Sequence, residues 1–224
     1  MTRTRLRLAV FDLDGTLVDS RVSIHASCAA AFAAIGRPEP SYDQVRQIVG
    51  LSLREGLALL APDLTQADVQ GLTEHYKQAF NARLAEPPGS DPLYPGATAL
   101  LDALKADGWK ISMATGKSRR GVNHALSVYD WTPVFDSTHC ADDGPGKPHP
   151  AMLLDALRAS QARPAQSVMI GDTAHDILMA KAAGVASIAV TWGFHTHDEL
   201  LAAQADIICH SFKELHQALA RFAP

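Results

Sequence analysis

Short apolar runs that alternate with longer segments of helical period predict an α/β protein with a parallel sheet, and one long stretch with helical patterns and almost no strand predicts an inserted all-helical domain. The strand-like runs cover residues 6–11, 109–114, 167–170, 185–191 and 206–209. Each is short, apolar and partly β-branched, as suits a strand covered on both faces.

The helical segments have recognisable ends. Pro95-Gly96 opens one that stops at Gly108, and the segment 172–183 stops at Gly184, a residue suited to the left-handed position after a helix. From about residue 18 to 87 helical patterns dominate: 26–35 is Ala-rich with Phe32 and Ile35, 53–60 is periodic, and 69–84 repeats apolar residues on one face. Gly36, Pro38, Pro40 and Pro62 punctuate them, and Pro87-Pro88-Gly89-Ser90 reads as a linker back into the β/α pattern. The expected division is an α/β core of residues 1–17 and 88–224, with residues 18–87 inserted as the helical domain.

Composition excludes several classes. With 47% hydrophobic and 20% charged residues in 224, the chain has the balance of a protein that buries a core. A net charge of −4 without a basic stripe gives no footing for a nucleic acid polymer or an anionic membrane, which leaves a small molecule as the expected partner. Cys28, Cys140 and Cys209 are scattered and form no Cys-x-x-Cys pair, so a reducing compartment is expected. The apolar run after Arg3, Arg5 and Arg7 stops at Asp12, too soon for a signal peptide, and no stretch approaches the roughly 20 apolar residues of a membrane span. A cytoplasmic location follows as the expectation.

In an open α/β sheet, ligands bind at the carboxyl ends of the strands. Three runs lead there into polar residues: Asp12-Leu13-Asp14-Gly15-Thr16, Thr115-Gly116-Lys117, and Gly171-Asp172-Thr173-Ala174-His175-Asp176. Asp12 and Asp14 can approach one cation or one substrate, with Gly15 permitting close backbone approach, although a plain Asx turn uses the same residues. Asp172 and Asp176 have the spacing of neighbours on one helix face, although a helix cap would also account for Asp172. Carboxylates gathered in one place repel unless a hard cation sits among them, and oxygen-only ligation suits Mg²⁺. Lys147, in Gly146-Lys147-Pro148-His149-Pro150, stands beside stiffening prolines, as expected of an ammonium aimed inward; an exposed loop lysine is the commoner alternative.

With these residues in this order, the chain resembles the haloacid dehalogenase superfamily over essentially its whole length, specifically the phosphoglycolate phosphatase-like branch with a helical cap. The resemblance rests on Asp12-Leu13-Asp14-Gly15-Thr16, Thr115 after a strand, Lys147 in Lys-Pro-x-Pro, and Gly171-Asp172-Thr173 with Asp176. It implies a Rossmann-like core under a cap, and a phosphatase that hydrolyses a small phosphorylated metabolite, phosphoglycolate first, through an aspartyl-phosphate. By the same resemblance Asp12 is the nucleophile and Asp14 the acid and base, while Gly15, Thr16, Thr115, Gly116 and Lys147 hold the phosphoryl group. Mg²⁺ falls to the Asp12 carboxylate, the Asp14 backbone carbonyl and Asp172, with Asp176 supporting through water. The physical logic agrees, because an anionic nucleophile attacking an anionic ester needs positive charge beside it.

Within the family, retention of Asp14 argues against dehalogenation, and Lys77, deep in a helical pattern, argues against the phosphonate-hydrolysing branch. Arg54, in Gly50-Leu51-Ser52-Leu53-Arg54-Glu55, is expected either at a second anionic group of the substrate or on the surface. Lys117 is expected at the phosphate or, more readily, in solvent. Asp19 reads as a loop tie and His175 as a helix-start residue. His195-Thr196-His197 makes a weak metal-ligand set. A phosphomutase or a pyrophosphatase would use the same core, whereas a phospho-accepting signalling module is about half this size and lacks the helical block.

Overall fold

The computed structural model describes residues 6–85 and 91–222; the expected linker Pro87-Pro88-Gly89-Ser90 lies outside the described residues, as do Arg3 and Arg5. The five apolar runs and one further segment form six parallel strands: β1 (Leu8–Phe11), β2 (Lys110–Thr115), β3 (Ser137–Cys140), β4 (Ser167–Gly171), β5 (Ala186–Val190) and β6 (Ile207–Cys209). They form one sheet in the order β3-β2-β1-β4-β5-β6. β1 is central and fully buried, pairing through Phe11 with Met113 on one side and Ile170 on the other. The strand order reverses at β1, and a crevice opens there between strand ends.

Side chains on β1 alternate between two cores, as a period of two demands. Ala9 and Phe11 join Trp109, Trp131 and the apolar stripes of α5 (Ala97–Ala106), α6 (Arg119–Val128) and α10 (Phe212–Arg221). Leu8 and Val10 face the other way, into α7 (Ala151–Ser160) and α8 (Ala174–Ala182). The short α9 (His197–Ala202) packs Leu200 against Ile177 and Ala189.

Between β1 and α5 lie four helices: α1 (Arg21–Ala34), α2 (Tyr42–Ile48), α3 (Leu53–Leu60) and α4 (Gln66–Ala85). They share an apolar core of their own, with Ile24, Cys28, Phe32, Val45, Leu57 and Leu72 among its members. Phe194, from the loop after β5, inserts its ring into that core.

Three differences from the sequence reading have physical causes. β3 was not expected, since Ser-Thr-His-Cys is too polar to look like a buried strand; it lies at the sheet edge, partly exposed, and its Ser137 hydroxyl meets that of Ser112 at 2.8 Å. α2 was not expected either, but Ser41 and Gln44 form a reciprocal capping box that starts it. The segment expected to be helical from Asp172 begins at Ala174, with Thr173 as its N-cap, so Asp172 sits in the strand-to-helix turn and not on a helix face with Asp176.

The helical block is docked against the sheet. Arg46 Nη1 lies 2.7 Å from Glu199 Oε2, Gln47 binds the other Glu199 oxygen, and the Gln47 carbonyl lies 3.1 Å from His175 Nε2. A Cβ on Gly116 would fall 2.5 Å from the Leu51 carbonyl oxygen, so the loop of residues 50–51 passes against the end of β2 only because glycine is there. Burial alone would raise the Glu199 carboxyl, but donors from Arg46, Thr196 and Gln47 hold it down at about 2. Its stabilisation is therefore present above the ordinary carboxylate range and is lost as pH falls toward 2. Glu199→Ala removes both the clamp and the α9 capping box, and a loss of about 1–2 kcal/mol is expected in denaturant titrations above pH 5. Hydrogen exchange is expected to accelerate in α2; an unchanged α2 would show that the clamp does not hold the block.

Candidate active site

The carboxyl ends of β1, β2 and β4 bring Asp12, Asp14, Thr115 and Asp172 to the crevice, and the loop after β3 delivers Lys147. Backbone pairing fixes the first of these, because the Asp12 N–H donates to the Ile170 carbonyl at 2.9 Å. Lys147 is almost fully buried, with Nζ 2.6 Å from Asp176 Oδ1 and 2.9 Å from Asp12 Oδ1. The second contact is close enough for an ion pair but misaligned for a hydrogen bond, so both Asp12 oxygens are buried without a hydrogen-bond donor. Lys147 is thus an inward cation and not an exposed loop lysine.

Asp172 is held on both oxygens. The Thr16 hydroxyl donates to Oδ1 at 2.8 Å, and the Phe194 N–H donates to Oδ2 at 2.8 Å. Asp176 is occupied differently: one oxygen takes Lys147, and the other accepts from the Thr173 N–H at 3.1 Å and the Thr173 hydroxyl at 2.7 Å. It starts α8 and steadies the ammonium.

Gly15 and Thr16, expected on the phosphate, have other partners. The Gly15 N–H donates to the Val18 carbonyl at 2.8 Å, the Thr16 N–H to the Leu13 carbonyl at 3.3 Å, and the Thr16 hydroxyl to Asp172. Gly15 has φ +82°, and a Cβ there would fall 2.2 Å from Asp172 Oδ2, so its glycine serves Asp172. Thr115 is buried at the end of β2, its hydroxyl accepting from the Lys117 N–H at 3.3 Å. Lys117 is not in solvent. Its Nζ lies 2.7 and 2.8 Å from the two Asp14 oxygens and 5.0 Å from the centre of the Phe80 ring on α4.

Among the remaining expectations, Arg54 is exposed and lines the cavity under the helical block. Asp19 pairs with Arg21, and its N–H binds the Pro92 carbonyl. His195 accepts the Ala174 N–H at 3.0 Å. Among the described residues, the one cluster able to hold a metal through three acidic or metal-ligating side chains is Asp12, Asp172 and Asp176, with one oxygen from each within 4.8 Å of the others. The Asp14 carboxylate is not part of it, being turned to Lys117. The cluster fits a hard divalent cation, because it is oxygen-only and contains the donor-free carboxylate of Asp12.

The sequence reading missed Gly193 and Phe194. A Cβ on Gly193 would fall 2.2 Å from Asp172 Oδ2, so the loop presses backbone against that carboxylate and delivers the Phe194 N–H to it. The cue was available, since Thr191-Trp192-Gly193 also follows a strand's carboxyl end.

Burial pushes Asp12 up to about 7; Lys147 opposes that rise, while Asp176 and Asp14 add to it. Burial, then the charges of Asp12 and Asp176, also hold Asp172 well above the carboxylate range. Burial works against the Lys147 ammonium, but the two carboxylates outweigh it and keep it charged.

A doubly wound sheet with a buried carboxylate cradle and an inward ammonium at its switch point is the architecture of an enzyme handling an anionic substrate. The chain belongs to the haloacid dehalogenase-like hydrolases, whose family model matches residues 9–190. It is 36% identical over 211 residues to "Probable phosphatase IndB" of Dickeya dadantii, covering 93% of this chain and 91% of that one. It is 32% identical over 217 residues to "Phosphoglycolate phosphatase" of Agrobacterium fabrum, covering 95% and 91%. In three dimensions it matches the crystal structure of "a predicted phosphatase from Clostridium acetobutylicum" with a TM-score of 0.86 at 25% identity, covering 96% of this chain and 98% of that one.

Two outcomes follow from the cradle. Folded pKa values above the unfolded ones mean that the native state holds extra protons between about pH 4 and 7, so without a cation these carboxylates contribute less stability as pH rises through that window. A bound cation displaces those protons, so the rise in Tm on adding Mg²⁺ is expected to be larger at pH 8 than at pH 5.5; equal rises would mean the ion is held elsewhere. Gly193→Ala is expected to weaken Mg²⁺ binding by about 10–100-fold in calorimetry while circular dichroism shows the fold retained.

Proposed function

We propose that this hydrolase is a Mg²⁺-dependent phosphatase acting on a small phosphate monoester through an aspartyl-phosphate on Asp12. The observation that carries the reading is the Asp12 carboxylate, buried without a hydrogen-bond donor at the strand switch point, beside Lys147 and Asp172. Phosphoglycolate, the substrate in the name of the Agrobacterium fabrum relative, is the first ester to assay.

In this reading residues 18–87 are a cap domain over a catalytic core of residues 1–17 and 88–224. Asp12 and Asp172, with the Asp14 backbone, would hold the cation, and Asp176 acts through Lys147 and Thr173. Bound there, the cation supplies positive charge that lets an anionic carboxylate approach an anionic ester. Thr115, the Gly116 backbone and Lys147 orient the phosphoryl oxygens.

An Asp12 oxygen attacks phosphorus, the ester P–O bond breaks, and the leaving oxygen takes a proton from Asp14. Asp14 then takes a proton from water as that water attacks phosphorus, and the bond to Asp12 breaks, releasing inorganic phosphate. For this Asp14 must leave Lys117, and an arriving phosphate, itself an anion, competes for that ammonium. Exclusion of bulk water by the docked helical block protects the intermediate. The buried free thiols of Cys28, Cys140 and Cys209 support a reducing, cytoplasmic setting.

A panel of phosphate esters assayed for phosphate release with Mg²⁺, then with EDTA, tests the reading. Multiple turnover is expected, with chelation stopping it, Asp12→Asn abolishing it and Asp14→Asn lowering kcat by about 10²–10⁴. Near-normal activity in Asp12→Asn would remove the nucleophile assignment. Release stopping at one phosphate per chain would indicate a phospho-acceptor, and transfer to a second hydroxyl a mutase.

A further inference from the structure

The cavity between the helical block and the strand ends has a volume of about 790 Å³. That lies within the roughly 300–1,000 Å³ range of pockets that bury drug-sized ligands, far more than a phosphorylated two-carbon acid occupies. The helical block is docked over this space, with the Glu199 clamp formed and residues 50–51 against Gly116.

Its two ends differ chemically. At the floor stand Asp12, Asp14, Thr115 and Lys117. The wall toward α1 and α4 carries an apolar stripe of Ile24, Cys28, Tyr76, Phe80 and Leu84, flanked on α4 by Gln70, Lys77 and Asn81. Burial pushes the Cys28 thiol up to about 12 and raises the Tyr76 phenol well above its ordinary value, so neither is charged. Thr73 adds no free donor, since its hydroxyl is bound to the Val69 carbonyl at 2.7 Å. The Lys117 ammonium reaches both Asp14 and the Phe80 ring, which puts the apolar wall one side chain away from the phosphoryl end. The further cationic lining residues Arg54, Lys77 and Arg120 are exposed.

A carboxylate or a polyhydroxy group seated on the stripe of Ile24, Tyr76, Phe80 and Leu84 would give up water against carbon and aromatic faces. An apolar ring would gain from the same wall. We infer that the preferred ester of this site carries a ring-sized, largely apolar leaving group, an aryl-alkyl or heterocyclic alcohol seated against Tyr76 and Phe80. This rests on the phosphatase reading and gives its substrate class.

The test compares ethyl phosphate, phosphoglycolate and 2-phenylethyl phosphate, whose leaving oxygens are all primary and differ chiefly in what the cavity must hold. With Mg²⁺ present, kcat/KM for 2-phenylethyl phosphate is expected to exceed that of each other ester by about tenfold or more. Phe80→Ala is expected to bring those ratios toward one. Ratios already near or below one in the parent chain, or ratios unmoved in Phe80→Ala, overturn the inference while leaving the phosphatase reading in place. If no ester turns over, the phosphatase reading falls, and calorimetry on the unmodified Mg²⁺-loaded chain still decides the cavity. There 3-phenylpropylphosphonate is expected to bind about tenfold more tightly than propylphosphonate. Equal binding overturns the inference whether or not a variant folds.

Discussion

Three carboxylates and one ammonium share a volume from which water is excluded, and the rest of the molecule is arranged to make that tolerable. Asp12, Asp172, Asp176 and Lys147 are each almost fully buried. Removing such groups from water costs several kcal/mol apiece after relaxation, and the cost is recovered only through close, well-aligned partners. Asp172 and Asp176 have those partners in Thr16, Phe194, Thr173 and Lys147. Asp12 has only the Lys147 ammonium at 2.9 Å beside it, and burial outweighs that contact to push its carboxyl up.

The sheet is what allows the charges to meet. Parallel strands deliver their carboxyl ends to one edge, and reversal of strand order at β1 opens a crevice flanked by β1 and β4. Glycines then set the spacing, since Gly15 and Gly193 both lie where a methyl group would collide with Asp172. The oxygens can approach within reach of one ion only because these backbone segments carry no side chain.

Much of this was legible in the chain. The apolar run ending at Asp12, the Thr115 and Asp172 turns after their strands, and the proline-bracketed Lys147 are local patterns with local meanings, and the strand ends do bring them together. What was not legible depended on distant pairings. β3 is too polar to declare itself and owes its form to β2. Lys117 looked solvent-bound because nothing nearby in sequence announces Asp14 and Phe80, which come from other elements. Gly15 and Thr16 were expected at the phosphate from the family resemblance, yet the turn that positions Asp12 occupies both of their N–H groups. Asp172 lay just outside the helix expected for it, since the capping role went to Thr173.

Phe194 belongs to two structures at once: its N–H binds Asp172, and its ring is a member of the apolar core of the α1–α4 block. The charge cradle and the helical block therefore do not move independently. A shift that drags the ring also turns the amide, and with it the oxygen that Asp172 presents. Packing in the helical block and the position of the Asp172 carboxylate are in this way tied together through a single residue.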